Sequence, residues 1–189
     1  MLSRKPEPGT EKLLLRKYVF EGRAIRVRVD TVRNADGRRT TREIVEHGEC
    51  IAVVALDPDG NILLVRQYRS ALAKQLLEIP AGGIDKGENS EAAVIREMQE
   101  ETGFKPGKVE RLCGFYLTPG TSNEYLHLYL ATDLVPSRLH AEDTAGIEVI
   151  STPVSQIKEL IKTGALQDGK SIAGLLYYLE YIKTAGGTP

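Results

Sequence analysis

Apolar positions along the chain change period three times, and each change predicts an element. Over residues 13–46 the period is two, with Ile25, Val27 and Val29 set against Arg26 and Arg28. An Asn34-Ala-Asp-Gly37 turn joins two such runs, so the spacing predicts a small antiparallel sheet. Residues 51–56 and 62–65 are nearly unbroken apolar runs separated by the turn Asp57-Pro-Asp-Gly60, which predicts two central, buried strands. Residues 89–103 then follow a helical period. Asn89 or Ser90 is the candidate N-cap, Val94, Ile95 and Met98 share a face, and Gly103 supplies the stop. Strands are expected again at 109–117 and 125–131, with a polar stretch at 137–146 and a short strand at 147–150. Two helices close the chain. The first has Thr152 as cap, Pro153 in the first helical position and its end near Gly164; the second covers about 171–183, with Ile172, Leu175, Leu176 and Leu179 at helical spacing. Strands and helices in this mixed order predict an α/β sandwich rather than a regular βαβ series.

Composition narrows the class without naming an activity. The 189 residues are 41% hydrophobic and 27% charged, with 25 Lys+Arg against 26 Asp+Glu and a net charge of -1. That suits one globular domain with a small appendage, and the balanced charge carries no nucleic-acid footprint. Cys50 and Cys113 lie in apolar, strand-like runs and are read as buried free thiols. The N-terminus lacks an apolar leader core, and no segment approaches the roughly eighteen apolar residues of a membrane helix. The expectation is a cytoplasmic protein with neither membrane nor nucleic-acid partners. Pro6, Pro8 and Gly9 near the start and Ala-Gly-Gly-Thr-Pro at the end predict loose termini. The expected organisation is a β region at 1–46 with its first ten residues loose, a main domain at 47–184, and a tail at 185–189.

The predicted helix at 89–103 carries acids where acids are disfavoured. Glu97, Glu100 and Glu101 stand at i, i+3 and i+4, on one side of the helix, and all lie in its last turns. There the helix dipole opposes negative charge by about 0.3–1 kcal/mol per side chain, and like-charge neighbours add a few tenths more. A solvated acidic helix end is the plain explanation for such a cluster. A hard divalent cation reverses the balance, because Mg²⁺ and Mn²⁺ prefer oxygen ligands and are commonly shared between carboxylates and phosphates. Upstream stands Glu78-Ile-Pro-Ala-Gly-Gly-Ile-Asp-Lys-Gly-Glu88, a glycine-rich loop in which missing side chains permit close backbone approach.

Together, loop and helix decide between these explanations. Gly82, Glu88, Arg96-Glu97, Glu100-Glu101 and Gly103, with Met98 and Phe104 in the two apolar slots, match the complete Nudix signature Gly-x5-Glu-x7-Arg-Glu-U-x-Glu-Glu-x-Gly-U, where U is apolar. Glu43-Ile-Val-Glu-His47, Leu64-Val-Arg-Gln-Tyr-Arg69 and Glu78-Ile-Pro-Ala-Gly82 further resemble the ADP-ribose pyrophosphatase branch, so the resemblance covers most of residues 13–180. Pro119, about fifteen residues beyond the signature, occupies the position of a proline typical of that branch.

The resemblance implies a Nudix α/β/α sandwich with a mixed sheet, preceded by a small N-terminal antiparallel sheet that takes part in forming a homodimer. It implies Mg²⁺, with Mn²⁺ possible, held by Glu97 and Glu101, with Glu100 close by and the carbonyl of Ala81 as a further ligand. Gly82, Glu88, Arg96 and Pro119 would support the site, Arg96 and Glu88 by pairing with one another. Arg69 would meet the diphosphate, Glu124 the terminal ribose, and Arg42 the adenine or phosphate site of a partner subunit. The implied reaction is attack of water on one phosphorus of ADP-ribose, giving AMP and ribose 5-phosphate. The branch often carries an acidic Asp-Glu-Asp-Glu loop, and here the segment reads Glu142-Asp-Thr-Ala-Gly146. Glu142 is therefore the expected general base, with Asp143 or a helix carboxylate as the other choices.

Three other activities are compatible with parts of this pattern. The same chemistry on GDP-mannose or another nucleotide sugar leaves every motif unchanged. A non-catalytic nucleotide-binding Nudix module has no need of the full carboxylate cluster. An RNA decapping enzyme calls for a basic groove, which the net charge of -1 does not supply.

Overall fold

The computed structural model describes residues 10–141 and 146–183, so most of the two terminal stretches expected to be loose, and the segment holding Glu142 and Asp143, lie outside the described residues. The chain divides into two compact units, one running to Gly48 and including Tyr116–Glu124, the other formed by Glu49–Phe115 and the chain beyond Tyr125.

The first unit is a three-stranded antiparallel sheet in the order β1-β2-β3, formed by β1 (Lys12–Glu21), β2 (Ile25–Arg33) and β3 (Arg39–His47). The Asn34–Gly37 turn closes the β2–β3 hairpin as its sequence predicts. Gly37 takes a positive φ of 87°, and its amide donates to the Asn34 carbonyl at 2.9 Å. Asp30 is buried on β2, where Arg16 donates two bonds to it at 3.1 and 3.2 Å and Arg28 also pairs with it. On β1 the apolar side chains Leu13, Leu15, Val19 and Phe20 remain exposed.

The second unit is a mixed sheet of seven strands: β4 (Cys50–Leu56), β5 (Ile62–Arg69), β6 (Lys74–Glu78), β7 (Ala81–Gly83), β8 (Phe104–Tyr116), β9 (Tyr125–Pro136) and β10 (Glu148–Thr152). Strand β4 runs parallel to β9 and antiparallel to β5 and β7. Its side chains alternate faces, so both faces are buried at once. Ile51, Val53 and Ala55 join Ala93, Val94 and Met98 of the signature helix in one core layer. On the other face, Leu128 and Ile79 receive the helix that carries Gly174; a Cβ at Gly174 would lie 2.8 Å from Leu128 Cδ1 and 3.1 Å from Ile79 Cδ1, so a larger residue there would have to push these side chains aside. Helices on both faces of a mixed sheet make an α/β sandwich. The two apolar runs predicted as central strands, β4 and β5, are buried as expected.

Several boundaries differ from the sequence pattern for identifiable reasons. Strand β7 falls inside the glycine-rich segment, because β4 supplies the ladder partners Cys50↔Gly83, Ile51↔Gly82 and Ala52↔Ala81 that the segment's own composition does not predict. Thr152 ends β10, and Pro153, with ψ 132°, is a non-helical cap residue rather than the first helical one; a 3₁₀ turn, Val154–Gln156, then leads into α2 (Ile157–Lys162). Gly164 ends that helix region at φ 75°, as predicted. Helix α3 (Gly169–Tyr177) starts two residues before the expected Ser171, because Asp168 caps it by accepting from the Ser171 amide. Cys113 is only half-buried, so of the two expected buried thiols only Cys50 is one. No helix among the described residues is long and apolar enough to cross a membrane.

Candidate active site

The signature helix begins as α1 (Ser90–Glu97), with Asn89 Oδ1 accepting from the Ala92 amide at 2.8 Å. It does not stay α-helical to Gly103. From Met98 to Thr102 the chain makes a π-helical turn, closed by Gly103 at φ 80°, with the Thr102 hydroxyl donating back to the Met98 carbonyl at 2.5 Å. Apolar Val94 and Met98 face the core, which turns Glu97, Glu100 and Glu101 towards an open cleft of about 470 Å³. Gln67, Arg69, Ala81, Gly82, Ala141 and Ile147 also line this cleft.

Strand β7 brings the glycine-rich segment against the helix. The Ala81 amide donates to Glu101 Oε2 at 3.0 Å, and the Glu97 carboxylate packs so tightly on Gly82 that a Cβ there would collide with it. Arg96 ties the assembly together. It donates to both oxygens of Glu88 at 3.0 Å, to Glu97 at 2.7 Å, to Glu100 at 3.1 Å and to the Gly83 carbonyl at 2.8 Å. Glu88 in turn accepts from the Asp85 amide at 3.0 Å. These bonds hold the Glu88 carboxyl below its ordinary range, the Arg96 bond first among them.

The other two carboxylates move the opposite way. Glu101 is only 6% exposed, and burial pushes its pKa up to about 8 against the partial relief of the Ala81 amide. Burial also raises Glu97, and Arg96 offsets this only in part. Without a further positive charge Glu101 thus holds its proton into neutral pH. The donor set suits a hard divalent cation: carboxylate oxygens on one open wall, a glycine that leaves room for one of them, and a buried Gln67 Oε1 with no hydrogen-bond partner among the described residues.

Opposite charge is supplied by Arg69 on β5. Its Nε and Nη2 donate to Glu78 at 2.7 and 2.6 Å. Glu78 is 1% exposed; burial raises its carboxyl, but Arg69 and Lys170 more than compensate and leave it below its ordinary value. Lys170 pairs with Glu78 and donates to Asp168 at 2.9 Å. Glu78, Lys170 and Asp168 were not identified as site residues from the sequence. Glu78 opens the Glu78-Ile-Pro-Ala-Gly82 motif without a role assigned to it, and Asp168, three residues before Ser171, carried the local signal of an N-cap.

Arg42, Glu124 and Pro119 belong to the first unit. Arg42 pairs with Glu11, and Glu124 stands 3.8 Å from His47 Nδ1. Pro119 sits in the turn closed by the Thr121 amide donating to the Thr118 carbonyl at 3.0 Å. Glu142 lies outside the described residues.

Known proteins place this architecture in a family. The NUDIX domain model matches residues 46–175, and the model of the nucleoside diphosphate sugar hydrolase N-terminal domain matches residues 11–45. The chain belongs to the Nudix family and is a hydrolase of that type, acting on diphosphate linkages. It is 31% identical to an ADP-ribose pyrophosphatase of Bacillus subtilis over 169 residues, covering 88% of this chain and 91% of that protein. It is 33% identical to a GDP-mannose pyrophosphatase of Citrobacter koseri, covering 79% of this chain and 83% of that protein. The crystal structure of an ADP compounds hydrolase matches with a TM-score of 0.86 over 95% of this chain and 98% of that chain; at 21% identity the match speaks for the fold.

Proposed function

We propose that the chain hydrolyses ADP-ribose to AMP and ribose 5-phosphate in a Mg²⁺-dependent reaction, with Mn²⁺ as a substitute. The observation that carries this reading is the buried, proton-holding Glu101 beside Glu97 and Glu100 on a cleft that also receives the Arg69 guanidinium. Such a wall fits a cation and a diphosphate together better than either alone. Held by Glu97 and Glu101, with Glu100 and the Ala81 carbonyl in support, the cation would supply Lewis-acid polarisation of water and neutralise charge developing on phosphate.

The chain's own residues do the rest. Arg96 fixes the carboxylates from behind, through Glu88 and Gly83. Arg69 spends two of its five donors on Glu78 and keeps Nη1 for phosphate oxygens. Glu142 is assigned the proton of the attacking water, Glu124 the terminal ribose and Arg42 the adenine or phosphate end in a homodimer, all on the family resemblance. The exposed apolar residues of β1 fit the dimer part of this assignment.

A second reading, hydrolysis of GDP-mannose or another nucleotide sugar, is favoured by the Citrobacter koseri relative and by the match at residues 11–45. Values of kcat/KM for ADP-ribose, GDP-mannose and ADP-glucose, measured side by side with Mg²⁺, decide between them. ADP-ribose is expected to lead, and a lead by GDP-mannose replaces the substrate while keeping the mechanism.

Two variants probe the parts of this account. Gly82→Ala is expected to lower Mg²⁺-dependent turnover about 10–100-fold, since the added methyl displaces the Glu97 carboxylate. Unchanged turnover and unchanged Mg²⁺ requirement would remove Glu97 from the metal site. Deletion of residues 1–46 is expected to lower both activity and dimer content in sedimentation, whereas a fully active truncated dimer would show that the N-terminal sheet has neither role.

A further inference from the structure

The polar network behind Arg69 is more elaborate than a single ion pair requires. Glu78 is 1% exposed at the end of β6, and two cations converge on it: Arg69 from the cleft side and Lys170 from the first turn of α3. Lys170 is itself half-buried, with 11% of its side chain exposed, and is not among the residues lining the cleft. The same helical turn grips the next residue. Ser171 Oγ accepts from the Ile79 amide at 2.8 Å and hydrogen-bonds Asp168, whose carboxylate also takes the Ser171 amide at 3.0 Å and Lys170 at 2.9 Å. The start of α3 therefore holds both the side chain of Glu78 and the backbone of Ile79, two residues before Ala81.

We propose that Lys170 is a positioning residue for the hydrolase: by fixing the buried Glu78 carboxylate it sets the direction in which Arg69 presents its free donors to the substrate's diphosphate. A buried carboxylate with one partner can rotate about its terminal torsion, and its guanidinium partner rotates with it. With Lys170 engaged, Glu78 has one orientation, and the fork of Arg69 is fixed by two parallel bonds. The energetic reason for burying Glu78 is then functional. A carboxylate this deep costs desolvation free energy that Arg69 and Lys170 offset together, and the second cation also removes the freedom to swing that Arg69 would have on a singly paired carboxylate. Local sequence gives no sign of the arrangement, because Lys170 and Glu78 lie 92 positions apart.

This inference rests on the reading of the cleft as a diphosphate site, and wild-type turnover of ADP-ribose or GDP-mannose tests that reading first and separately. With whichever compound the wild type turns over, Lys170→Met is expected to raise KM about tenfold with kcat within about twofold, since Arg69 binds substrate and the hydrogen bonds of Lys170 go to Glu78 and Asp168 rather than to the helix carboxylates. Lys170→Arg restores most of the loss, because it returns a cation to Glu78. Glu78→Gln raises KM similarly, and the double variant Lys170→Met with Glu78→Gln is no worse than either single change, as expected for groups acting in series. Should Lys170→Met fail to fold, Lys170→Gln keeps the reach without the charge and carries the same expectation. An unchanged KM in folded Lys170→Met or Lys170→Gln overturns the proposal. So does a double variant whose effects multiply, which would mean that Lys170 reaches the substrate independently of Glu78.

Discussion

Glu101→Gln is expected to remove turnover by about three orders of magnitude or more while leaving the fold intact, and in metal-free buffer at pH 8 to 9 the variant should melt no lower than the wild type. Both halves follow from one fact, that Glu101 is a buried acid whose pKa burial raises to about 8. The neutral amide matches the protonated carboxyl in shape and keeps an oxygen for the Ala81 amide, so the metal-free fold loses little. It offers a cation far less, and the charge that would sit on the developing phosphate oxygens goes unneutralised. Circular dichroism melts and AMP-release assays on the same preparation check the two halves together. A variant retaining wild-type turnover removes Glu101 from the metal site.

The second large effect is a pH-dependent stability that Mg²⁺ erases. The folded pKa of Glu101 lies above its ordinary 4.5, so between about pH 4.5 and 8 the folded state holds a proton that the unfolded chain has released. Its contribution is complete below about pH 4.5 and is lost as pH rises through about 8, on the order of a few kcal/mol in all. Glu97 shifts in the same direction and adds to the slope. Glu78 and Glu88 shift the other way, and their contributions fail only below the ordinary carboxylate range, outside this window. In chelator, Tm is therefore expected to fall between pH 5 and 8.5. Saturating Mg²⁺ replaces the proton, so its stabilisation grows with pH and the slope flattens. A metal-free Tm that stays level over this range, or a Mg²⁺ effect equal at pH 5.5 and 8.5, contradicts the assignment of a buried, cation-ready cluster.

How much of this was legible in the sequence depended on whether a feature is local. The helix at 89–103 was readable from its apolar period, its Asn89 cap and Gly103, and the misplaced acids on it pointed to the cleft wall. Its switch to a π turn at Met98 was not, since one extra residue in a turn leaves the pattern of apolar positions nearly unchanged over so short a span. Ala81-Gly82-Gly83 carries no strand propensity, and its backbone is extended because β4 pairs with it. The Glu78–Lys170–Asp168 network joins the end of β6 to the start of α3, and contacts of that sequence separation have no periodicity to read. Pro153 followed the usual preference for the first helical position, yet its ψ of 132° continues the extended chain leaving β10.

The most direct test of the central claim is to incubate ADP-ribose with the wild-type protein and with Glu101→Gln, each with Mg²⁺ and with chelator, and to quantify AMP and ribose 5-phosphate. Equal amounts of the two products, formed only by the wild type and only with Mg²⁺, is the predicted result. Products formed in chelator, or at undiminished rate by Glu101→Gln, would contradict it.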